Sequence, residues 1–145
     1  MVEGWHDDTP GLLTLPSGTR VRGRGLRAGD PPGQRPTLGI YLVGRRPPQP
    51  QWDSRWVRWR DFWVPADPDQ ATQVLTEALA AAPSGRVELA CGGGIGRTGT
   101  GLAALCVLEG LDPGEAVRYV RARYAPRAVE VPWQHRFPAA LARRR

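Results

Sequence analysis

The sequence predicts an α/β fold with a central sheet of four or five strands, largely parallel at its centre, and helices on both faces. Two observations carry this reading. Thr37–Val43 (TLGIYLV) has the length and composition of a buried strand. The second half of the chain reads helix, strand, glycine loop, helix, helix, helix. The 145 residues fit one domain spanning residues 1–145, large enough to bury a core without disulfide staples.

Leu12–Leu15 and Thr19–Leu26 are at best short strands in a stretch punctuated by Gly and Pro, and Gly29–Pro36 is a loop. Arg45–Gln51 is a proline-rich connection after the Thr37–Val43 strand. Trp56–Asp61 alternates, with Val57 and Trp59 on one side and Arg58 and Arg60 on the other, as in a half-buried strand ending near Asp61. Ala71, Val74, Leu75, Ala78, Leu79 and Ala82 recur at helical spacing. Asp67 suits the N-cap of that helix, Pro68 its first position and Gln70 the capping box. Pro83–Gly85 ends the helix, and Arg86–Ala90 is a short strand. A second helix runs from about Arg97 to Glu109 and is apolar nearly all round, so it should be central and buried. Gly110 stops it. Asp112-Pro113-Gly114-Glu115 opens a third, to about Tyr124. Pro132 can open a last short helix, which Pro138 should interrupt.

Composition narrows the function. Apolar residues make up 41%, which argues against bulk disorder, and no run reaches the roughly 18 apolar residues of a membrane span. The acidic, proline-broken start is no signal peptide. Two cysteines make no disulfide scaffold, so a reducing, cytoplasmic setting is expected. All 20 basic residues are Arg, and the Ala, Gly and Pro bias suggests a GC-rich, bacterial coding sequence. Residues 20–60 carry ten Arg against two Asp. That imbalance suggests an anionic partner, beside the plainer reading of a solvated Arg-rich surface.

The chemistry concentrates in Ala90-Cys91-Gly92-Gly93-Gly94-Ile95-Gly96-Arg97-Thr98-Gly99-Thr100. A cysteine closes a strand, a glycine-rich loop follows, and an arginine opens a buried helix. Successive backbone N–H groups in such a loop can converge on a tetrahedral oxyanion, and the helix N-terminus adds donors and its dipole. Arg97, five residues beyond Cys91, can close the rim and hold two oxygens side by side. The same field favours a thiolate at Cys91, below a bound phosphate and in line for attack. A Walker loop needs Lys, and the chain has none. Gly94-x-Gly96-x-x-Gly99 matches the dinucleotide fingerprint, but Asp112–Tyr124 reads as helix where that fold needs a strand. The remaining reading is a turn that merely allows close packing around an inert thiol.

Cys91-x5-Arg97-Thr98, with Gly94-x-Gly96-Arg97-Thr98-Gly99-Thr100, resembles the signature of the protein tyrosine phosphatase superfamily, which includes the dual-specificity phosphatases. The resemblance spans roughly residues 37–138. It implies a phosphatase-type sheet and a phosphocysteine intermediate on Cys91. Arg97 would bind phosphate and stabilise the transition state, and Thr98 would hydrogen-bond the cysteine sulfur. The amides of Gly92, Gly93, Gly94, Ile95, Gly96 and Arg97 would hold the phosphate oxygens. One departure is Ala90, where the family usually has the His that supports the loop.

A phosphatase also needs an acid for the leaving oxygen and a base for water. Asp61, Asp67 and Asp69 compete. Asp67 has a sufficient role as N-cap and Asp69 falls in a first helical turn. Asp61 has no helical role, and Trp59-Arg60-Asp61 resembles the family's Trp-Pro-Asp acid loop, so Asp61 is the favoured acid. Arg127-Ala128-Val129-Glu130 and Gln134-x-x-Phe137 resemble the segment carrying the family's water-positioning Gln, which makes Gln134 the candidate.

Cys106 lies too far along its helix to pair with Cys91 and is core packing. His6 and His135 form no metal set with the cysteines, and His135 should lie at the surface. Trp52, Trp56, Trp59 and Trp63 interleave with Arg55, Arg58 and Arg60, but a core-facing Trp59 with solvent-facing arginines is preferred over a nucleic-acid surface. The resulting expectation is a monomeric, cofactor-independent and metal-free cysteine phosphatase. Its substrate is a phosphorylated protein, phosphotyrosine or mixed, or a small phosphate ester. It engages neither membrane nor nucleic acid. A rhodanese-like sulfurtransferase, which would not need Asp61, and a catalytically weak phosphate-binding module are the alternatives.

Overall fold

Every residue of Val87–Cys91 is buried, and this strand is the centre of the sheet. The computed structural model describes residues 2–130 and 132–144. Its strands are β1 (Leu12–Thr14), β2 (Arg20–Gly25), β3 (Leu38–Val43), β4 (Asp53–Arg58) and β5 (Val87–Cys91), in the spatial order β1-β2-β5-β3-β4. β2, β5, β3 and β4 run parallel, and β1 is an antiparallel edge. The α-helices are α1 (Pro68–Ala81), α2 (Gly96–Leu108), α3 (Pro113–Arg123) and α4 (Arg136–Arg144). The α/β fold with a sheet parallel at its centre is therefore as the sequence predicts.

Strand length follows from pairing. β4 begins and ends earlier than the alternating side chains suggest, because its register runs from Leu38↔Asp53 to Val43↔Arg58 and β3 offers no further partner. The N–H of Trp59 makes one more bond, to the Val43 carbonyl, and the chain then turns. Asp61 thus sits on a loop, not on the strand. Val57 and Trp59 are still buried and Arg58 and Arg60 exposed, as the alternation requires.

α1 starts where its caps dictate. Asp67 accepts a hydrogen bond from the Gln70 N–H at 3.1 Å. Gln70 leaves the capping box half made: its amide donates to the Trp56 carbonyl, tying the helix start to β4. α2 lies against the sheet at Gly101, where a Cβ would come within 2.9 Å of Leu89 and 3.0 Å of Leu42. α2 is buried from Gly96 to Val107, with α1, α3 and α4 packed around it. α4 runs through Pro138 rather than stopping there. The helix restarts at Arg136, so Pro138 falls in its first turn, where a missing N–H leaves no bond unmade.

The helices occupy one face of the sheet, not two. The β2–β3 connection would have to supply the second layer, but it carries Pro31, Pro32 and Pro36 and forms only a 3-10 turn at Leu26–Ala28. Loops and the N-terminal segment cover that face instead. There Glu88 accepts hydrogen bonds from Arg22, Arg24 and Tyr41. Trp5 packs its ring 4.3 Å from the Arg22 guanidinium and donates to the Val87 carbonyl. Burial alone would raise the Glu88 carboxyl, but the Arg24 hydrogen bonds and the Arg22 charge outweigh it and hold the group below the usual carboxylate range.

Candidate active site

The parallel register brings the candidate residues to one edge. Cys91 ends the central strand, opposite Gly25 of β2, and the carboxyl end of β4 leads into Trp59–Asp61. In open α/β sheets ligands bind at this carboxyl edge. The loop after Cys91 lies close on β2: a Cβ on Gly94 would come within 2.5 Å of the Gly25 nitrogen, and Gly94 has φ +77°. Glycine meets both demands. Ile95 precedes α2 with no side-chain cap, so the N-terminus of a buried helix faces the loop.

Cys91 and Thr98 meet across this turn. The Thr98 hydroxyl donates to Cys91 Sγ at 3.0 Å and the Gly94 N–H at 3.2 Å. Two donors from different parts of the loop and helix thus converge on one sulfur. Tyr124 supports the loop from α3's end, donating its hydroxyl to the Gly94 carbonyl. Burial, and then the charge of Cys91, push the Tyr124 phenol above its ordinary value, so it stays a donor. Its ring takes the space that a side chain at Gly23 would fill. No sequence signal links Tyr124 to a glycine 30 residues earlier. Ala90 lies on the other face of β5, paired with Arg24 and Tyr41.

Arg97 is buried and spans toward the β4 loop. One terminal nitrogen donates to the Trp59 carbonyl at 3.0 Å, and Nε stands 3.5 Å from Asp61 Oδ1. Nε is buried with no hydrogen-bond partner among the described residues. A donor in that state is suited to an incoming oxyanion. Asp61 Oδ1 also accepts the Phe62 N–H at 3.1 Å, and Phe62 itself has φ +62°. The other two aspartates are engaged elsewhere: Asp67 caps α1 and Asp69 pairs with Arg144 at 2.5 Å.

The acid-bearing loop is anchored by Trp59, which is fully buried and packs edge-on against Phe137 with ring centroids 5.6 Å apart. Gln134 is fully buried, and its amide donates to the Trp63 carbonyl at 3.3 Å. It is thus brought to the loop that carries Asp61. The Glu130 side chain lies against Gly96 and would have to shift to admit a side chain there. Phe62, Trp63 and Ile95 are exposed around this edge.

The sequence profile described as protein-tyrosine phosphatase matches residues 45–128. The chain belongs to the protein-tyrosine phosphatase family. It is a phosphoric monoester hydrolase and a protein phosphatase. Among solved structures, the phosphatase superposes on Tk-PTP in its active form with a TM-score of 0.73 and 22% identity, covering 94% of this chain and 99% of that one. Kinase associated phosphatase, with its catalytic-site cysteine replaced by serine, gives 0.73 and 12% identity over 95% and 97%. Human DUSP28 gives 0.61 and 18% identity over 74% and 78%. These likenesses establish the shared fold. No curated protein matches the sequence.

The phosphatase's remaining candidates fall outside the site. Cys106 is buried in α2 and not disulfide-bonded, and burial pushes its thiol up to about 12. His135 is half-buried, and burial followed by the Arg121 charge lowers its pKa. Among the described residues, no three His, Cys, Asp or Glu side chains gather as a metal site. No helix among them is long and apolar enough to cross a membrane.

Proposed function

We propose that residues 1–145 form one catalytic domain that hydrolyses phosphotyrosine and related aryl phosphates through a phosphocysteine intermediate. The observation that carries this reading is the pairing of Cys91 Sγ, held by Thr98 and Gly94, with the unbonded, buried Nε of Arg97. In the first step the Cys91 thiolate attacks phosphorus. The bond to the leaving oxygen breaks, and the Asp61 carboxyl protonates that oxygen. Arg97 and the amides of Gly92, Gly93, Gly94, Ile95 and Gly96 bear the charge on the other phosphate oxygens. In the second step Asp61 takes a proton from water, which Gln134 orients. The water oxygen attacks phosphorus, the S–P bond breaks, and the Thr98 hydroxyl steadies the departing thiolate. Inorganic phosphate leaves.

The exposed Phe62, Trp63 and Ile95 support an aromatic leaving group, since they offer apolar surface to a ring. The chemistry as written needs no cofactor, and a soluble phosphoprotein or a small phosphate ester fits it. The test is hydrolysis of a generic aryl phosphate, wild type beside Cys91→Ser, followed by a phosphopeptide panel. Turnover should be lost in Cys91→Ser while vanadate binding is kept. Turnover equal to wild type in that variant would end the covalent mechanism.

A further inference from the structure

Arg27 lies beside the catalytic loop, outside any motif. Its backbone N–H donates to the Gly92 carbonyl at 3.1 Å, which fixes the 3-10 turn Leu26–Ala28 to the loop. Its guanidinium lies over the same two glycines. A Cβ at Gly92 would stand 3.1 Å from one terminal nitrogen of Arg27, and a Cβ at Gly93 would stand 3.8 Å from the other. A Cβ at Gly92 would crowd the guanidinium, while one at Gly93 would only reach ordinary van der Waals contact with it.

The charge on Arg27 is not already spoken for. Arg22 and Arg24 share Glu88, Arg20 pairs with Asp7, Arg55 with Glu77 and Arg144 with Asp69. The nearby Asp30 is taken by Arg24. Arg27 is exposed, and among the described residues its guanidinium has neither an ion-pair nor a hydrogen-bond partner. The phosphatase thus keeps a second cation outside the cradle, at the Gly92–Gly93 end of the loop, while Arg97 serves the opposite end.

We infer that Arg27 is a specificity-determining residue that reads a second anionic group on the substrate. The substrate class is a phosphotyrosine peptide with a carboxylate or a second phosphate within one or two residues of the phosphotyrosine. The inference rests on the catalytic reading above. A guanidinium pairs with either group through the same planar fork, and the exposed position makes the contact sensitive to salt.

The experiment uses the 145-residue chain and four otherwise identical phosphotyrosine peptides, flanked by Gln, by Glu, by phosphoserine or by Arg. Wild type should favour the Glu peptide over the Gln peptide by about three- to tenfold in kcat/KM, mostly through KM. The phosphoserine peptide should gain more, because it carries more charge. The larger gain identifies the natural group. Both ratios should shrink with salt and fall to about one in Arg27→Met, which keeps much of the apolar stem. Arg27→Glu should instead favour an Arg-flanked peptide. Wild-type turnover of a generic aryl phosphate, lost in Cys91→Ser, secures the catalytic reading independently. With that turnover intact, ratios that survive in Arg27→Met overturn the inference, since Arg27 would then act only as a prop for the loop.

Discussion

Asp61 Oδ1 stands 3.5 Å from Nε of Arg97. The two residues follow different strands, β4 and β5, and meet because those strands run parallel and end at one edge. The carboxyl is therefore beside the guanidinium that would bind phosphate, while Asp67 and Asp69 are held at the start of α1.

This arrangement separates the aspartates by experiment. Asp61→Asn should lower kcat by roughly 10²–10⁴ for a poor leaving group, the usual worth of positioned acid catalysis, and by much less for a very good one. Its melting temperature should hardly change. Asp67→Ala should cost about 1 kcal/mol of stability through the lost cap and leave the leaving-group dependence alone. The assignment fails if the dependence appears in the Asp67 variant and not at Asp61.

Arg97→Lys should be severely impaired although it keeps the charge. An ammonium cannot bond the Trp59 carbonyl and two phosphate oxygens from one plane. Steady-state kinetics with an aryl phosphate give the answer, and near-normal kcat and KM would contradict the cradle geometry.

Tyr124→Phe removes the hydroxyl that supports the Gly94 carbonyl. A hydrogen bond of this kind is worth about 1 kcal/mol. The inhibition constant for inorganic phosphate should accordingly rise about fivefold, with the thiol itself untouched. An unchanged constant would mean that the loop holds its shape without Tyr124.

Glu88→Gln leaves buried Arg22 without its counter-charge and leaves Arg24 with only the exposed Asp30. The expected loss is about 3–5 kcal/mol at neutral pH. The Glu88 carboxyl is depressed in the fold, so its contribution is fully present above its unfolded pKa, about 4.3. That contribution disappears as pH falls through the lower folded value. Urea unfolding of both proteins at pH 7 and in acid should show the stability gap closing in acid; a gap that stays constant would remove Glu88 as the cause.

The residues alone determined the order of strands and helices, because apolar period, proline and glycine act over a few neighbours. The Cys91–Thr98 signature and the Asp67 cap are legible for the same reason: each is a local pattern with a local physical cause. Where β4 stops, and that Pro138 sits inside α4, depended on partners the sequence does not name: the reach of β3 and the point at which the helix restarts. The missing second helical layer follows from prolines that were visible, but its replacement by Trp5 over the Arg22–Glu88 cluster was not. Tyr124, Arg27 and the Trp59 carbonyl came to the site only through tertiary structure. Each touches the loop through a contact between segments far apart in the chain, and a hydrogen bond of that kind depends on how the sheet and helices pack, with no spacing in the sequence to announce it.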